Sequence, residues 1–375
     1  MPDVSIYLDF NATTPVADEV LSAMLPWFTE HFGNAASTHA YGQYAAAAVQ
    51  DARAAVGEVL GVPVNGVVFT SGATEANNLA IRGVPGRVVV PATEHKAVLD
   101  TAKAGECAVV PVDQQGRLDL EALDHAAVGA ALISVMAANN ETGVVHDLRA
   151  VVEIGHRHGC LVHTDATQAF GKLDVDLTEL GVDLASVSAH KIYGPKGVGA
   201  LFVRRGVTLD STMTGGGHER GFRSGTLNVP GIVGFGAAAQ RLRPDVEAAR
   251  SRQLLDRFLS LLSALEPPTT YSDHHSGLPN TLSLRFSGAD AEAVIANAPE
   301  ICISTGSACT AAVPEPSHVL VAMGVPPEHA FESLRISVGE RTTRDEVDRG
   351  ARILERAVAR VRALGATSTL EAVAP

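Results

Sequence analysis

Lys191 stands where a reactive amine would. Residues 184–199 read LASVSAHKIYGPKGVG: an apolar run through Leu184, Ala185 and Val187 reaches Ser188, then delivers Ala189, His190 and Lys191 into a Gly/Pro-rich turn. A lysine at the end of a buried strand is costly to desolvate unless something uses its amine. With its pKa lowered by burial, such an amine can form a Schiff base with a carbonyl. The chain has five lysines, Lys96, Lys103, Lys172, Lys191 and Lys196. Lys172 and Lys196 lie in turn sequence, where solvation is the simplest reading, so Lys191 is the candidate.

Four further stretches carry chemistry. Thr70-Ser71-Gly72-Ala73-Thr74-Glu75 falls at a strand-to-helix junction. Small residues there let backbone N–H groups approach an anion such as phosphate, aided by the helix dipole; alone, the stretch reads more simply as an N-cap supplied by Ser71 or Thr74. His163-Thr164-Asp165-Ala166-Thr167-Gln168 ends an apolar strand. In open parallel sheets ligands bind at such ends, and an aspartate there can hold a protonated pyridine nitrogen of the pyridoxal phosphate (PLP) kind or simply cap the next turn. His95, in Thr93-Glu94-His95-Lys96, can stack on an aromatic ring, transfer protons, or serve as a hydrogen-bonded structural residue. Cys309, in Ser304-Thr305-Gly306-Ser307-Ala308-Cys309-Thr310, follows small residues in a loop with little to pin it. It is a nucleophile candidate if a neighbour stabilises its thiolate. Cys302, inside an apolar strand, reads as a core thiol.

The elements that must position these groups alternate. Strand-like runs at 67–70, 88–90, 108–112, 131–136, 161–163 and 184–187 are separated by helical patterns, among them one from Glu75 and another over 147–158. A further helix, carrying Val20, Met24, Trp27 and Phe28, precedes an alanine-rich one over 41–60, closed by Gly61 and Pro63. This predicts an α/β fold with a mostly parallel sheet covered by helices on both faces. After Pro230 a long helical pattern interrupted at Pro244 leads to a smaller α/β unit. The expected division is a large unit over 15–245 and a small one made of 1–14 with 246–375, ending in a frayed tail.

Composition bounds the function. A chain of 375 residues, 46% hydrophobic and 19% charged, has the make-up of a folded enzyme. A net charge of −13 without a basic cluster argues against a nucleic-acid surface. No apolar run suits a bilayer, and the N-terminus lacks a signal-peptide layout. The four cysteines are widely spaced, with no C-x-x-C, which fits free thiols in a reducing cytoplasm rather than a disulfide scaffold or a zinc site, and no metal ligand is expected.

The motifs SGATEANNLA, TEHKAVL, ANNETGVV, HTDATQAFGK, SVSAHKIYGPKGVGAL, GGGHERGFRSGTLNV, STGSACT and LRISVG, in this order from Tyr7 to about Thr343, resemble the PLP-dependent cysteine desulfurases, class V of the fold-type-I aminotransferase superfamily. The resemblance implies a seven-stranded large domain and a homodimer. Lys191 would carry PLP as a Schiff base, His95 would stack on its ring, Asp165 would hold the ring nitrogen and Gln168 the ring hydroxyl. Ala73, Thr74, Ser188 and His190 would hold the phosphate, and Thr226 would reach the phosphate of the neighbouring subunit's site. Asn140 and Arg335 would receive the carboxylate of L-cysteine, and Cys309 would take its sulfur as a persulfide, leaving alanine. The STGSACT motif is similar to that of the branch with a long mobile cysteine loop. Sulfur acceptors in such a family include iron–sulfur scaffold proteins, transfer-RNA and DNA sulfur modification and natural-product synthesis. A selenocysteine lyase, another class-V PLP enzyme and a non-catalytic docking protein remain alternative readings. Two departures stand out: Phe10, where LDNAATTP commonly has asparagine, and His218, where GGGQER has glutamine. Both are expected to tune the site entrance or substrate handling.

Overall fold

The computed structural model describes residues 5–262, 266–306 and 315–371, with side chains followed as far as residue 364. Strand β1 (Ile6–Tyr7) opens the chain. The main sheet then uses β2 (Val67–Thr70), β3 (Val88–Pro91), β4 (Cys107–Val110), β5 (Leu132–Ser134), β6 (Leu161–Asp165), β7 (Leu184–Ser188) and β8 (Gly199–Val203). Their order is β2-β8-β7-β6-β5-β3-β4, giving the seven-stranded, mostly parallel sheet expected. The exception is β8, which pairs antiparallel with both β2 and β7. The sequence reading lacked this strand: it saw the Gly/Pro turn after Lys191 but not the hairpin return through Gly199.

Alternation along the strands explains why both sheet faces are covered. Val67 and Phe69 enter one core and Val68 the other; Val89 enters the first, Val88 and Val90 the second. Successive side chains point to opposite faces, so strands apolar at every position must be buried on both. The helix Ala40–Leu60 lies on the first core through Ala45, Val49, Ala52 and Val56. It stops at Gly61, whose φ of +63° suits the left-handed cap. The amphipathic pattern near the N-terminus yields two short helices, Asp18–Met24 and Pro26–Thr29. Pro26 brings no N–H to an i→i−4 bond, so the pattern breaks before it. Val20 and Met24 are buried, whereas Phe28 stays exposed.

A second core gathers Ile6 and Leu8 with residues from 254 to 361. Here β1 pairs in parallel with β11 (Ile301–Cys302), while β9 (Thr269–Thr270), β10 (Thr281–Arg285) and β12 (Ser333–Ser337) form an antiparallel sheet in the order β12-β10-β9. The segment after β1 crosses from this core to the main sheet: Asn11 N–H donates to Ser337 Oγ (2.9 Å), and Thr14 N–H donates to the carbonyl of His190 (3.0 Å). Among the described residues no helix is long and apolar enough to cross a membrane.

Candidate active site

A cavity of about 570 Å³ opens where β6 and β7 end and the helix Ala73–Gly83 begins. Its wall includes Ala73, Thr74, His95, Asn140, Asp165, Gln168, Ser188, His190, Lys191 and Arg335, so nearly all the residues singled out in the sequence meet there. Two fall elsewhere. Thr226 is exposed and forms no part of this wall, and Cys309 lies outside the described residues. Gly306, three positions before Cys309, is itself on the wall.

At one end of the cavity the helix Ala73–Gly83 starts without a side-chain cap, which removes the bland reading of Ser71 and Thr74. Its first amides thus keep their donors for a ligand, and the helix dipole adds positive potential. Gly72 makes the approach possible: its φ is +155°, and a Cβ on the neighbouring Gly199 would come within 2.7 Å of its Cα. Glu75 instead folds back on Ser71 N–H (2.8 Å) and pairs with Arg223 (2.8 Å), which draws residues 215–227 beside this turn. Further support comes from Glu219, which accepts from Phe69 N–H of β2 and from both ends of the buried Arg53 guanidinium, at 2.7 Å each.

Asp165 is buried at the end of β6. Its Oδ2 accepts from Asn77 Nδ2 (2.8 Å) and its Oδ1 from Thr167 N–H (3.0 Å), so it caps the next turn and also presents a fixed carboxylate. Two residues earlier, His163 is locked between Ser134 and Ser186 hydroxyls at 2.8 and 2.9 Å, and burial pushes it down to about 4, so it stays neutral. Glu94, wholly buried, is pushed well up by desolvation and then by the Asp165 charge.

His95 caps the helix Lys96–Lys103 by accepting the Ala97 N–H on Nδ1 (3.0 Å). That bond fixes the tautomer, leaving the proton on Nε2. Burial first, opposed by Asp165 and reinforced by Lys191, holds the ring below the ordinary histidine value. His190 is pushed down to about 4 by burial and by Lys191, Lys196 and Lys172. The concentration of cations around His190 makes this end of the cavity attractive to an anion.

Lys191 sits on the single turn Ala189–Lys191 after β7 and donates to the carbonyls of Asn11 (2.5 Å) and Ala12 (2.8 Å). Lys172 corrects the sequence reading. Rather than being solvated, its Nζ donates to Gln168 Oε1 (2.5 Å) and Asn11 Oδ1 (3.0 Å), beside a second cavity of about 230 Å³. Desolvation, then Lys191 and Arg335, pushes its amine well below the usual lysine range. Gln168 also donates to the Asn11 carbonyl (3.0 Å), and Asn11 donates to the Asn140 carbonyl (3.2 Å) and to Thr281 Oγ1 (2.8 Å). Asn11, Asn77 and Lys172 are the polar groups that sequence reasoning missed. Asn77 had a signal, four positions after Ala73 and so on the same helix face.

Arg335, from β12, donates to the Asn140 carbonyl (3.1 Å) and pairs with Asp9 (2.5 Å). Phe10 packs edge-on to Tyr7 (5.0 Å between centroids) and lines the smaller cavity, whose wall also includes Lys191. His218 accepts from Gly225 N–H (3.3 Å) and shapes the loop carrying Thr226.

PLP fits this wall. Asn77, Thr167 and Arg335 line the cavity, and their Oδ1, Oγ1 and Nε atoms are buried without a partner among the described residues. Buried polar atoms are rarely left unpaired, so these orphans call for a polar guest. An uncapped helix start, a carboxylate and a lysine amine match a phosphate, a pyridine nitrogen and an aldehyde.

The class-V aminotransferase family matches residues 6–349. Cysteine desulfurase IscS of Anaeromyxobacter sp. (strain Fw109-5) is 46% identical over 96% of this chain and 94% of its own. The chain belongs to the cysteine desulfurases of the class-V aminotransferase family. Its members are PLP-dependent enzymes. Among solved structures, a NifS-like protein superposes with a TM-score of 0.89 at 36% identity, covering 95% of this chain and all of the other. SspA in complex with cysteine superposes with a TM-score of 0.81 at 33% identity, over 89% and 99% of the two chains.

Proposed function

We propose that this cysteine desulfurase removes sulfur from L-cysteine in the cavity between β6, β7 and β12, transfers it to Cys309 and releases L-alanine. The observation that carries this reading is the convergence of Lys191, Asp165, His95 and Arg335 on one cavity whose orphan polar atoms await a guest. A relative solved with cysteine bound supports the substrate.

The residues divide the work. Lys191 would hold PLP covalently, Asp165 its ring nitrogen, Gln168 its hydroxyl, and Ala73, Thr74, Ser188 and His190 its phosphate. Bound there, PLP supplies an electron sink for a carbanion at the substrate α-carbon. Asn140 and Arg335 bind the substrate carboxylate, the planar guanidinium suiting a two-oxygen acceptor. The Lys191 amine takes the α-proton, and the Nε2–H of His95 is placed to hold or return a proton. The Cys309 thiolate then attacks the substrate sulfur: the S–S bond forms, the C–S bond breaks with its electron pair left on Cβ, and a proton on Cβ completes alanine. The enzyme retains a persulfide for an acceptor protein.

A homodimer in the cytoplasm is part of this proposal. Thr226 is exposed and off the wall of its own cavity, where it can serve a partner's phosphate. Leu25, Phe28, Phe32, Tyr41 and Tyr44 are each more than half exposed on one surface region, where Trp27 stacks on Tyr44. Apolar patches of this kind mark protein contacts.

The test is to supply L-cysteine and a thiol reductant to the holoenzyme and quantify both products. Alanine and sulfide should form in equal amounts. Arg335→Lys, which keeps charge but loses the fork, should raise KM for L-cysteine by about 10- to 100-fold with a smaller change in kcat. Absence of alanine from the wild type, or an unaltered KM in the variant, contradicts the assignment.

A further inference from the structure

Away from the active site, three side chains converge in a way the desulfurase reaction does not use. Asp256 lies on the helix Pro244–Leu261, and His274 and His275 lie in the loop before β10. One carboxylate oxygen, Asp256 Oδ1, faces His274 Nε2 at 2.9 Å and His275 Nε2 at 3.1 Å. All three donor atoms lie within 4.8 Å of one another. We propose that Asp256, His274 and His275 form a binding site for a divalent transition cation, with zinc the best fit.

Consecutive side chains on extended backbone point to opposite sides, so two adjacent imidazoles reaching one oxygen require a built turn. Asp273 builds it: its Oδ1 accepts from His275 N–H (3.0 Å), its Oδ2 from Ser276 Oγ (2.7 Å) and its carbonyl from Gly277 N–H (2.6 Å). Gly277 cannot carry a Cβ, which would meet the Gly143 carbonyl at 2.5 Å. The two rings end side by side, 4.3 Å between centroids and 37° apart. His274 is only 6% exposed and its carbonyl is held by Arg252 Nε (3.2 Å), so one ligand is fixed in place while His275 and Asp256 remain open to solvent.

The donor set fits the chemistry. Two imidazole nitrogens and one carboxylate oxygen suit zinc and its neighbours and leave a fourth position for water. Around a tetrahedral zinc with bonds of roughly 2.0–2.2 Å, ligand atoms sit about 3.3–3.6 Å apart. The two Asp256–imidazole distances of 2.9 and 3.1 Å must open by a few tenths of an ångström, and the two imidazole nitrogens, which lie within 4.8 Å of each other, must settle at the same spacing. A bound cation would tie the helix Pro244–Leu261 to a loop whose Leu278 N–H donates to the Gly143 carbonyl (2.8 Å), just beyond Asn140. Its role is to brace the wall, not to react.

The experiment uses tag-free holoenzyme carrying Cys309→Ala, so that this thiol does not compete for metal. Equilibrium dialysis against zinc chloride with atomic-emission counting should give one zinc per chain. Added His275→Ala or Asp256→Asn should weaken that binding at least about tenfold, and zinc should raise Tm in the parent but not in these variants. In the Cys309-containing enzyme His275→Ala should leave basal desulfurase activity unchanged. Zinc binding that persists unaltered in both variants, or no zinc bound by the parent, overturns the proposal.

Discussion

Lys191→Ala should fold, bind PLP weakly and lose turnover. The substitution removes a side chain whose Nζ donates to the carbonyls of Asn11 and Ala12, both of which lie on a segment held independently by Ser337 and His190. The scaffold therefore survives. Two things do not. Borohydride should fix the cofactor to the wild type as a mass adduct and leave the variant unlabelled. Loss of proton transfer alone should lower the rate by about 10²–10⁴-fold, and loss of covalent anchorage adds to that. Added methylamine should restore part of the proton transfer without restoring the adduct. An unchanged rate would remove Lys191 from the chemistry.

Cys309→Ala should separate binding from sulfur transfer. Everything described here for the cavity, from the uncapped helix start to Arg335, stands without Cys309, so the variant should bind PLP and show the spectral response of the wild type to L-cysteine. Sulfide should fall to background, because no other described thiol is placed for attack. Cys302 and Cys107 are half-buried, and burial raises both thiols above the usual cysteine value. Cys160 is buried beneath the carbonyls of Ala127 and Ala130. Full sulfide release by the variant would point to another class-V reaction.

The site was legible where strand ends carry it. Asp165 and Lys191 are separated by 26 positions in the chain, but parallel strands bring their carboxyl ends together, so the alternation of runs implied their proximity. The turn before the helix Ala73–Gly83 is a different case: read alone it suggested an N-cap from Ser71 or Thr74, whereas the helix starts without a side-chain cap. What escaped depends on pairings far apart in sequence. Asn11 bonds to Thr281, 270 positions away, and no local pattern marks it. Lys172 follows a glycine in a turn-like stretch and so reads as solvated, yet Gln168 and Asn11 enclose its amine. Phe10 is decided by Gly339, where a Cβ would come within 2.3 Å of its ring, a contact visible only once the second core is assembled. β8 was hidden because its antiparallel return breaks the strand–helix rhythm on which the rest of the sheet was read.

The most direct measurement is a single turnover without reductant. Holoenzyme is mixed with one equivalent of L-cysteine, alanine is quantified, and the intact chain and its Cys309 peptide are weighed. The account predicts one alanine per active chain and a mass gain of one sulfur atom on Cys309, absent in Cys309→Ala. Alanine formed with no added sulfur on Cys309, or sulfur found on another cysteine, would contradict it.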